Sequence, residues 1–119
     1  MKQDNYDLEE RMLDFGARVV KHCSGLRDYE MVNITAQLIR SATSIGANYC
    51  EANNAASKQD FRSKIFIAKK EAAETKYWLK MLKRLGDESS ERDVLEQESQ
   101  ELLMILQKIV NTMRQKSAK

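Results

Sequence analysis

Residues 57–86 read SKQDFRSKIFIAKKEAAETKYWLKMLKRLG. Ser57 offers a side-chain oxygen to the amides of a first helical turn, and the acid at Asp60 suits the positive end of a helix dipole. Gly86 supplies a residue that readily adopts the left-handed conformation found after a helix end. We therefore predict one long helix, helix three, over about residues 58–85.

Apolar residues recur every three or four positions on both sides of this segment, which is the spacing of one helix face. The pattern predicts helix one over 7–24, helix two over 29–54 and helix four over 91–114, with Ser90-Glu91-Arg92-Asp93 as a second capping signal. The tail after residue 114 is expected to fray. Three short connections between four long helices predict an all-α, antiparallel up-down-up-down four-helix bundle, a single domain over residues 1–119.

Composition excludes several protein classes. The 119 residues are too few for a second core, and the absence of proline argues against a β-sandwich with frequent turns. No run of eighteen apolar residues exists, and the acidic, polar start does not resemble a secretory signal. Cys23 and Cys50 are too few for a disulfide scaffold and lack metal spacing, so they are interpreted as small apolar residues of a reducing cytoplasm. We expect a soluble cytoplasmic domain without membrane contact.

Helix three concentrates the positive charge. Residues 57–86 hold nine Lys or Arg and three acids, a net charge of +6, against +2 for the whole chain. At about 100° and 1.5 Å per residue, six cations share an arc of about 60° over roughly 38 Å. We call them the basic stripe: Lys58, Arg62, Lys69, Lys76, Lys80 and Lys83. Such a stripe suits RNA or DNA, because phosphate binding releases counterions.

The alternative is a solvated face whose charge is offset by acids at the start of helix four. Those acids are Asp87, Glu88, Glu91, Asp93, Glu96, Glu98 and Glu101. Phe66 and Tyr77 flank the stripe, but they are equally interpreted as packing residues, and the aromatic interleaving of a single-strand binder is mostly missing.

Polar residues beside the apolar faces predict a structural network. Glu71 and Glu74 lie on the side of helix three away from the stripe, where carboxylates should be partly buried and need partners. Arg40 is the natural partner, and if it holds a buried carboxylate, Arg40→Ala should cost roughly 3–5 kcal/mol. The predicted network is Arg40, Ser44, Asn48, Glu51, Glu71 and Glu74.

A paired-carboxylate metal site is the alternative interpretation of these acids. A di-iron bundle would carry Glu-x-x-His pairs, and the only histidine, His22, lies on helix one. No nucleophile–base pair or phosphate loop is present either. We therefore predict no metal, no cofactor and no catalytic residue.

Small and surplus apolar residues predict a subunit interface. One side of helix two carries small side chains that allow close approach, and helix three has more apolar residues than one core seam needs. The candidate interface residues are Ala36, Thr43, Ala47, Cys50, Phe66, Tyr77 and Trp78. The alternative is that the wider apolar arcs meet two neighbours inside one bundle.

Three segments resemble a known family: QLIRSATSIGANYCE at 37–51, SKQDF at 57–61 and IAKKEAAETKYWL at 67–79. They look like the bacterial four-helix-bundle proteins encoded in intervening sequences of 23S ribosomal RNA genes. The same family contains the accessory variability proteins of diversity-generating retroelements. One departure is Tyr49-Cys50-Glu51-Ala52, where the family usually has Ile-Ala-Glu-Gly.

The resemblance implies a ring-like homopentamer and no known catalytic activity. For the retroelement members it also implies a basic surface that binds nucleic acid and docks a reverse transcriptase. The modest net charge of +2 favours the ribosomal-insert branch, whose role is largely unknown. The leading hypothesis is a non-enzymatic oligomer that contacts RNA or DNA through helix three. The alternative is a protein-interaction scaffold, for example one docking a reverse transcriptase, with no nucleic-acid affinity of its own.

Overall fold

A computed structural model of the chain shows four α-helices packed as a bundle. They are α1 (Lys2–Ser24), α2 (Tyr29–Asn53), α3 (Lys58–Arg84) and α4 (Ser90–Ala118). The structure describes the backbone of residues 2–118 and the side chains of residues 7–116, and this part of the chain contains no strand. The predicted all-α bundle is confirmed.

Each helix packs against two others, in the cyclic order α1, α2, α3, α4. Contacts between α3 and α4 join Phe66 to Arg114 and Lys76 to Gln100, so residue numbers rise along one helix as they fall along the other. This is the pattern of antiparallel neighbours, and the short loops leave little room for any other. The charge-poor helix α2 is covered on two sides, by α1 and by α3.

The helix ends follow local capping chemistry, with one difference from the prediction. Ser57 accepts a hydrogen bond from the Asp60 amide at 3.0 Å, and Gly86 has a φ of 110°, as expected. The cap of α4 is Ser89 rather than Ser90, because the Ser89 hydroxyl accepts the Arg92 amide at 3.2 Å. The capping signal was therefore placed one residue too late.

The outer ends of α1 and α4 are longer than predicted. Helix α1 begins at Lys2 rather than at residue 7, and α4 continues to Ala118 rather than ending near residue 114. The prediction placed the outer helix ends where the apolar pattern stops, whereas the helical backbone hydrogen bonds continue beyond that point. Since no glycine or proline interrupts either end, each added residue extends a helix that has already nucleated.

One continuous apolar core runs between the four helices. Two glycines set the distance between α1 and α2: a Cβ added at Gly46 would lie 3.2 Å from the Met12 Cβ, and one at Gly16 would contact Thr43 at 3.6 Å. The α1 and α2 backbones therefore approach closely. The fully buried core side chains include Phe15, Val19, Leu38, Ile45, Ile65, Leu79, Leu82, Leu95, Leu102 and Leu106.

Candidate nucleic-acid interface

The basic stripe runs along α3 beside its border with α4. Lys80 and Lys83 are exposed, as are Lys58 and Arg62 nearer the start of the helix, while Lys69 and Lys76 are partly buried. The Lys76 ammonium donates to the Gln100 side-chain oxygen of α4 at 2.6 Å, so this lysine also ties α3 to α4.

A polar cavity of about 290 Å³ lies at this border. Lys76, Lys80 and Lys83 line it from α3, and Arg92, Asp93 and Glu96 are among the α4 residues on its other side. Both carboxylates contact the guanidinium of Arg92, with Glu96 at 2.6 Å. The acids nearest the lysines therefore pair with an arginine of their own helix instead of with the lysines.

The other acids at the start of α4 pair mainly with α1. Arg11 binds Glu98 at 2.7 Å and Glu101 at 2.9 Å, and Arg18 binds Glu91 at 3.1 Å. Among the side chains of residues 7–116, no ion pair joins a carboxylate to Lys69, Lys76, Lys80 or Lys83. The ion pairs therefore do not show the alternative in which these acids offset the positive charge of the basic stripe.

Arg40 contacts both of the carboxylates that were predicted as its partners. Its guanidinium lies 3.3 Å from Glu71 and also contacts Glu74, so it bridges α2 and α3. Glu74 accepts a further hydrogen bond from the Trp78 indole at 2.9 Å. This indole bond and the Arg40 charge hold the pKa of Glu74 below its ordinary value.

The remaining members of the predicted network lie apart from this cluster. Ser44 donates to the Arg40 carbonyl at 2.7 Å and Asn48 to the Ser44 carbonyl at 2.8 Å, so both bond the backbone of their own helix. Glu51 instead pairs with Lys64 at 2.7 Å. The six residues therefore do not form one network, because bonds from a helix side chain to the carbonyl four residues earlier compete with bonds across the interface.

Arg40→Ala is expected to lower the free energy of unfolding by about 1 kcal/mol, not by the 3–5 kcal/mol of a buried pair. The Arg40 side chain is 47% exposed, so water screens its charge and solvates the carboxylates after it is removed. Urea unfolding of the variant, with exposed Arg27→Ala as control, measures the difference. A loss above 3 kcal/mol would contradict this smaller value.

The predicted interface residues are divided between two surfaces. Thr43, Ala47 and Cys50 line an apolar groove of about 460 Å³ between α1 and α2, together with the exposed Leu13 and Val20. Ala36 is exposed on α2 but is not among the lining residues of the groove. The role of these residues in assembly stays a prediction.

The α3 members of the predicted interface lie elsewhere. Phe66 lies beneath Arg114 of α4, at 5.8 Å from its guanidinium carbon to the ring centroid. Tyr77 is exposed and meets Trp78 edge to face, with ring centroids 5.0 Å apart. Trp78 itself is half-buried beside the Arg40 cluster.

Two buried polar clusters were missed by sequence reasoning. Arg92 is 1% exposed and donates to the Leu79 carbonyl at 3.0 Å as well as to the carboxylates described above. His22 meets Asp87 at 2.7 Å, and Asp87 also accepts from the Ser89 hydroxyl at 2.8 Å. No sequence signal marks either cluster. Arg92 was assigned only to a capping signal, Asp87 was counted among the acids at the start of helix four, and His22 was given no partner.

Asp87 is held in its charged form. Burial alone would favour the neutral acid, but hydrogen bonds from His22 and Ser89 outweigh it and lower the pKa of Asp87. The neighbouring Cys23 thiol is affected in the opposite sense, since burial, with the Asp87 charge adding to it, raises its pKa to about 11. This thiol is therefore inert at neutral pH.

Within the described residues, no group of three or more His, Cys, Asp or Glu is arranged to hold a metal ion. The helices of the described part are also too polar or too short in their apolar runs to cross a bilayer.

Comparison with known proteins identifies a family and a solved structure with a similar fold. The profile of a family described as "23S rRNA-intervening sequence protein" matches residues 4–108. A crystal structure of a protein of unknown function, from the S23 ribosomal protein family of Bacteroides thetaiotaomicron, superposes with a TM-score of 0.81. The two are 35% identical, over 90% of this chain and 97% of that one. No match was found among curated proteins.

Proposed function

Since the chain belongs to the 23S rRNA-intervening sequence protein family, we propose that it is a non-enzymatic helical-bundle protein that contacts RNA or DNA through the basic stripe of α3. It acts as a homo-oligomer in this proposal, and the family resemblance suggests five subunits. The proposal concerns a binding activity and involves no chemical step on the nucleic acid.

One observation carries the proposal: among the described residues no carboxylate pairs with Lys69, Lys76, Lys80 or Lys83, whereas four acids of α4 pair with arginines. Glu91 and Glu98 pair with α1, and Asp93 and Glu96 pair with Arg92. Like charges repeated along one helix face repel and add nothing to the stability of the bundle. A polyanion relieves that repulsion and gains from the release of its own counterions.

Reversing two stripe charges should weaken binding of a single-stranded RNA by at least tenfold at low salt. The variant is Lys69→Glu with Lys80→Glu, because neither residue bonds a carboxylate, whereas Lys76 is left in place for its bond to Gln100. Losing two phosphate contacts should also reduce the slope of log affinity against log salt by about 1.4. Fluorescence anisotropy with labelled RNA at several salt concentrations measures both quantities.

The matched control reverses two exposed cations that do not belong to the basic stripe, Lys21→Glu with Arg27→Glu. It changes the net charge by the same amount and should leave most of the affinity. An affinity that does not respond to salt, or the absence of binding at low salt, would reject the proposal. Equal loss in both double variants would show that net charge acts without a defined site.

The apolar groove between α1 and α2 favours a second candidate, a protein-interaction scaffold such as an accessory subunit that docks a reverse transcriptase. Leu13 and Val20 are exposed beside small side chains there, and such a surface is better suited to a protein than to a polyanion. Pull-down from extract with and without nuclease separates the candidates, because a scaffold keeps its partner when nucleic acid is digested.

Assembly is tested separately from binding. Light scattering that gives a single species of 13.8 kDa would reject the oligomer. A larger species that dissociates on Ala47→Glu, a substitution in the α1–α2 groove, would support the predicted contribution of the small residues of α2 to the interface.

A further inference from the structure

The outward side of α3 carries a row of cations with two aromatic rings between them. At about 100° per residue, seven residues between positions 62 and 84 fall within about 80° of one another. All are exposed except Lys69, which is partly buried. This row, here called the α3 outer face, consists of Arg62, Phe66, Lys69, Ala73, Tyr77, Lys80 and Arg84.

No acid belongs to this row. The two acids in the middle of α3, Glu71 and Glu74, turn toward α2, where Arg40 holds them. Lys58, Lys76 and Lys83 of the basic stripe run beside the row. The α3 outer face therefore carries the positive charges of Lys69, Lys80 and Arg84 without an acid among them, and its complement is an anionic partner.

Tyr77 is the most exposed ring on this face. Its side chain is 56% exposed, although a tyrosine placed for core packing would be buried. Its edge-to-face contact with Trp78 supports the ring from the side, at an interplanar angle of 74°. Trp78 is in turn fixed by its bond to Glu74 at 2.9 Å. The ring is thus held in place with much of its surface open to solvent.

Phe66 lies three turns earlier on the same face and is less exposed than Tyr77. Its ring is partly exposed and lies under the guanidinium of Arg114, so a cation already covers part of it. The two rings are separated by eleven residues, or about 16 Å along the helix. A nucleic-acid strand advances about 3.4 Å per nucleotide when stacked, so several nucleotides span that distance.

We propose that the α3 outer face binds single-stranded nucleic acid, with bases stacked on Tyr77 and Phe66 and phosphates on the flanking cations. This inference rests on the proposed function and specifies its ligand. The bases of a duplex are stacked on their neighbours and offer no open face to a protein ring, whereas every unpaired base does. A second copy of the chain is a poorer occupant, because two such faces would bring like charges together.

The test compares a labelled single strand with a duplex of the same sequence, by anisotropy at one low salt concentration. The single strand should bind more tightly, and Tyr77→Leu should weaken its binding about tenfold while leaving duplex binding unchanged. Tyr77→Phe keeps the ring and should restore the affinity. Because leucine removes no charge, the salt slope should stay the same.

Tyr29→Leu is the matched control, since Tyr29 is 94% exposed at the start of α2 and does not belong to the α3 outer face. It should leave binding unchanged. The thermal melting of Tyr77→Leu should also match that of the unsubstituted protein, because the ring contributes little to the core. Trp78 is the only tryptophan, so a base stacked on Tyr77 should also change its fluorescence.

The outcomes distinguish this inference from the proposed function. If Tyr77→Leu binds the single strand normally while the Lys69 and Lys80 reversal still weakens it, stacking is overturned and the basic interface stands. If no nucleic acid binds at low salt, the proposed function itself fails. If Tyr77→Leu changes the mass in light scattering but not the affinity, the face is a subunit contact and the inference is overturned.

Discussion

Arg92→Ala is expected to lower the free energy of unfolding by about 3 kcal/mol, the largest effect predicted for a single substitution in this chain. The arginine is 1% exposed between α3 and α4 and fills space that alanine would leave empty. It also donates to the Leu79 carbonyl and to two carboxylates, and these acceptors lose their partner. Urea unfolding followed by circular dichroism measures the change.

Two further variants separate the causes of that loss. Arg92→Met keeps most of the side-chain volume and should cost less than alanine, because packing is retained while the hydrogen bonds are lost. Arg27→Ala removes an exposed arginine and should stay within about 0.5 kcal/mol of the unsubstituted protein. If Arg92→Ala also stays within that range, the buried guanidinium does not contribute to the stability of the α3–α4 contact.

Asp87→Asn is expected to cost about 2 kcal/mol near neutral pH, because it removes the charge that His22 and Ser89 stabilise. Asp87 is 4% exposed, so solvent does not substitute for these partners. The pair joins the end of α1 to the loop between α3 and α4. Its loss should therefore loosen that end of the bundle.

The effect of Asp87→Asn should depend on pH with a defined sign. The folded-state pKa of Asp87 is lowered from an ordinary value of 3.8, so its charge stabilises the fold fully above that value. This contribution is lost as pH falls through the folded-state pKa. The stability difference between the unsubstituted protein and the variant should therefore keep its full value down to about pH 5 and shrink below pH 3.8.

Glu88→Gln is the control for this series, because Glu88 is the exposed neighbour of Asp87 in the same loop. It should change stability little at any pH. A difference for Asp87→Asn that grows as pH falls would contradict the assignment, and so would one that stays constant from pH 5.5 to well below the ordinary value of 3.8.

The helices were predictable because their signals are local. Apolar spacing identified all four, and the caps at Ser57 and Gly86 follow from single residues. The cap at Ser89 was misplaced because adjacent serines at 89 and 90 offer the same oxygen, and only the path of the loop decides which one reaches the Arg92 amide. The lengths of α1 and α4 were underestimated at their outer ends, because a helix can continue there without further apolar residues.

The candidate site was predicted less completely. The contact of Arg40 with Glu71 and Glu74 was expected, but the exposure of the Arg40 side chain was not. The loss of stability predicted for Arg40→Ala was therefore too large. Ser44 and Asn48 were assigned to the cluster because they share a helix side with Arg40. Sharing a side does not decide whether a short side chain bonds its own backbone or a neighbouring helix.

The sequence by itself determined that this chain forms four helices, that apolar residues recur along one face of them, and that positive charge accumulates on α3. These properties depend on periodicity and composition within single segments. Only the tertiary structure decided that most acids at the start of α4 pair with α1 or with Arg92 and leave the stripe lysines available. An α-helix in a bundle lies between two neighbours, and the rotation that packing imposes on it selects which neighbour each charged side chain reaches.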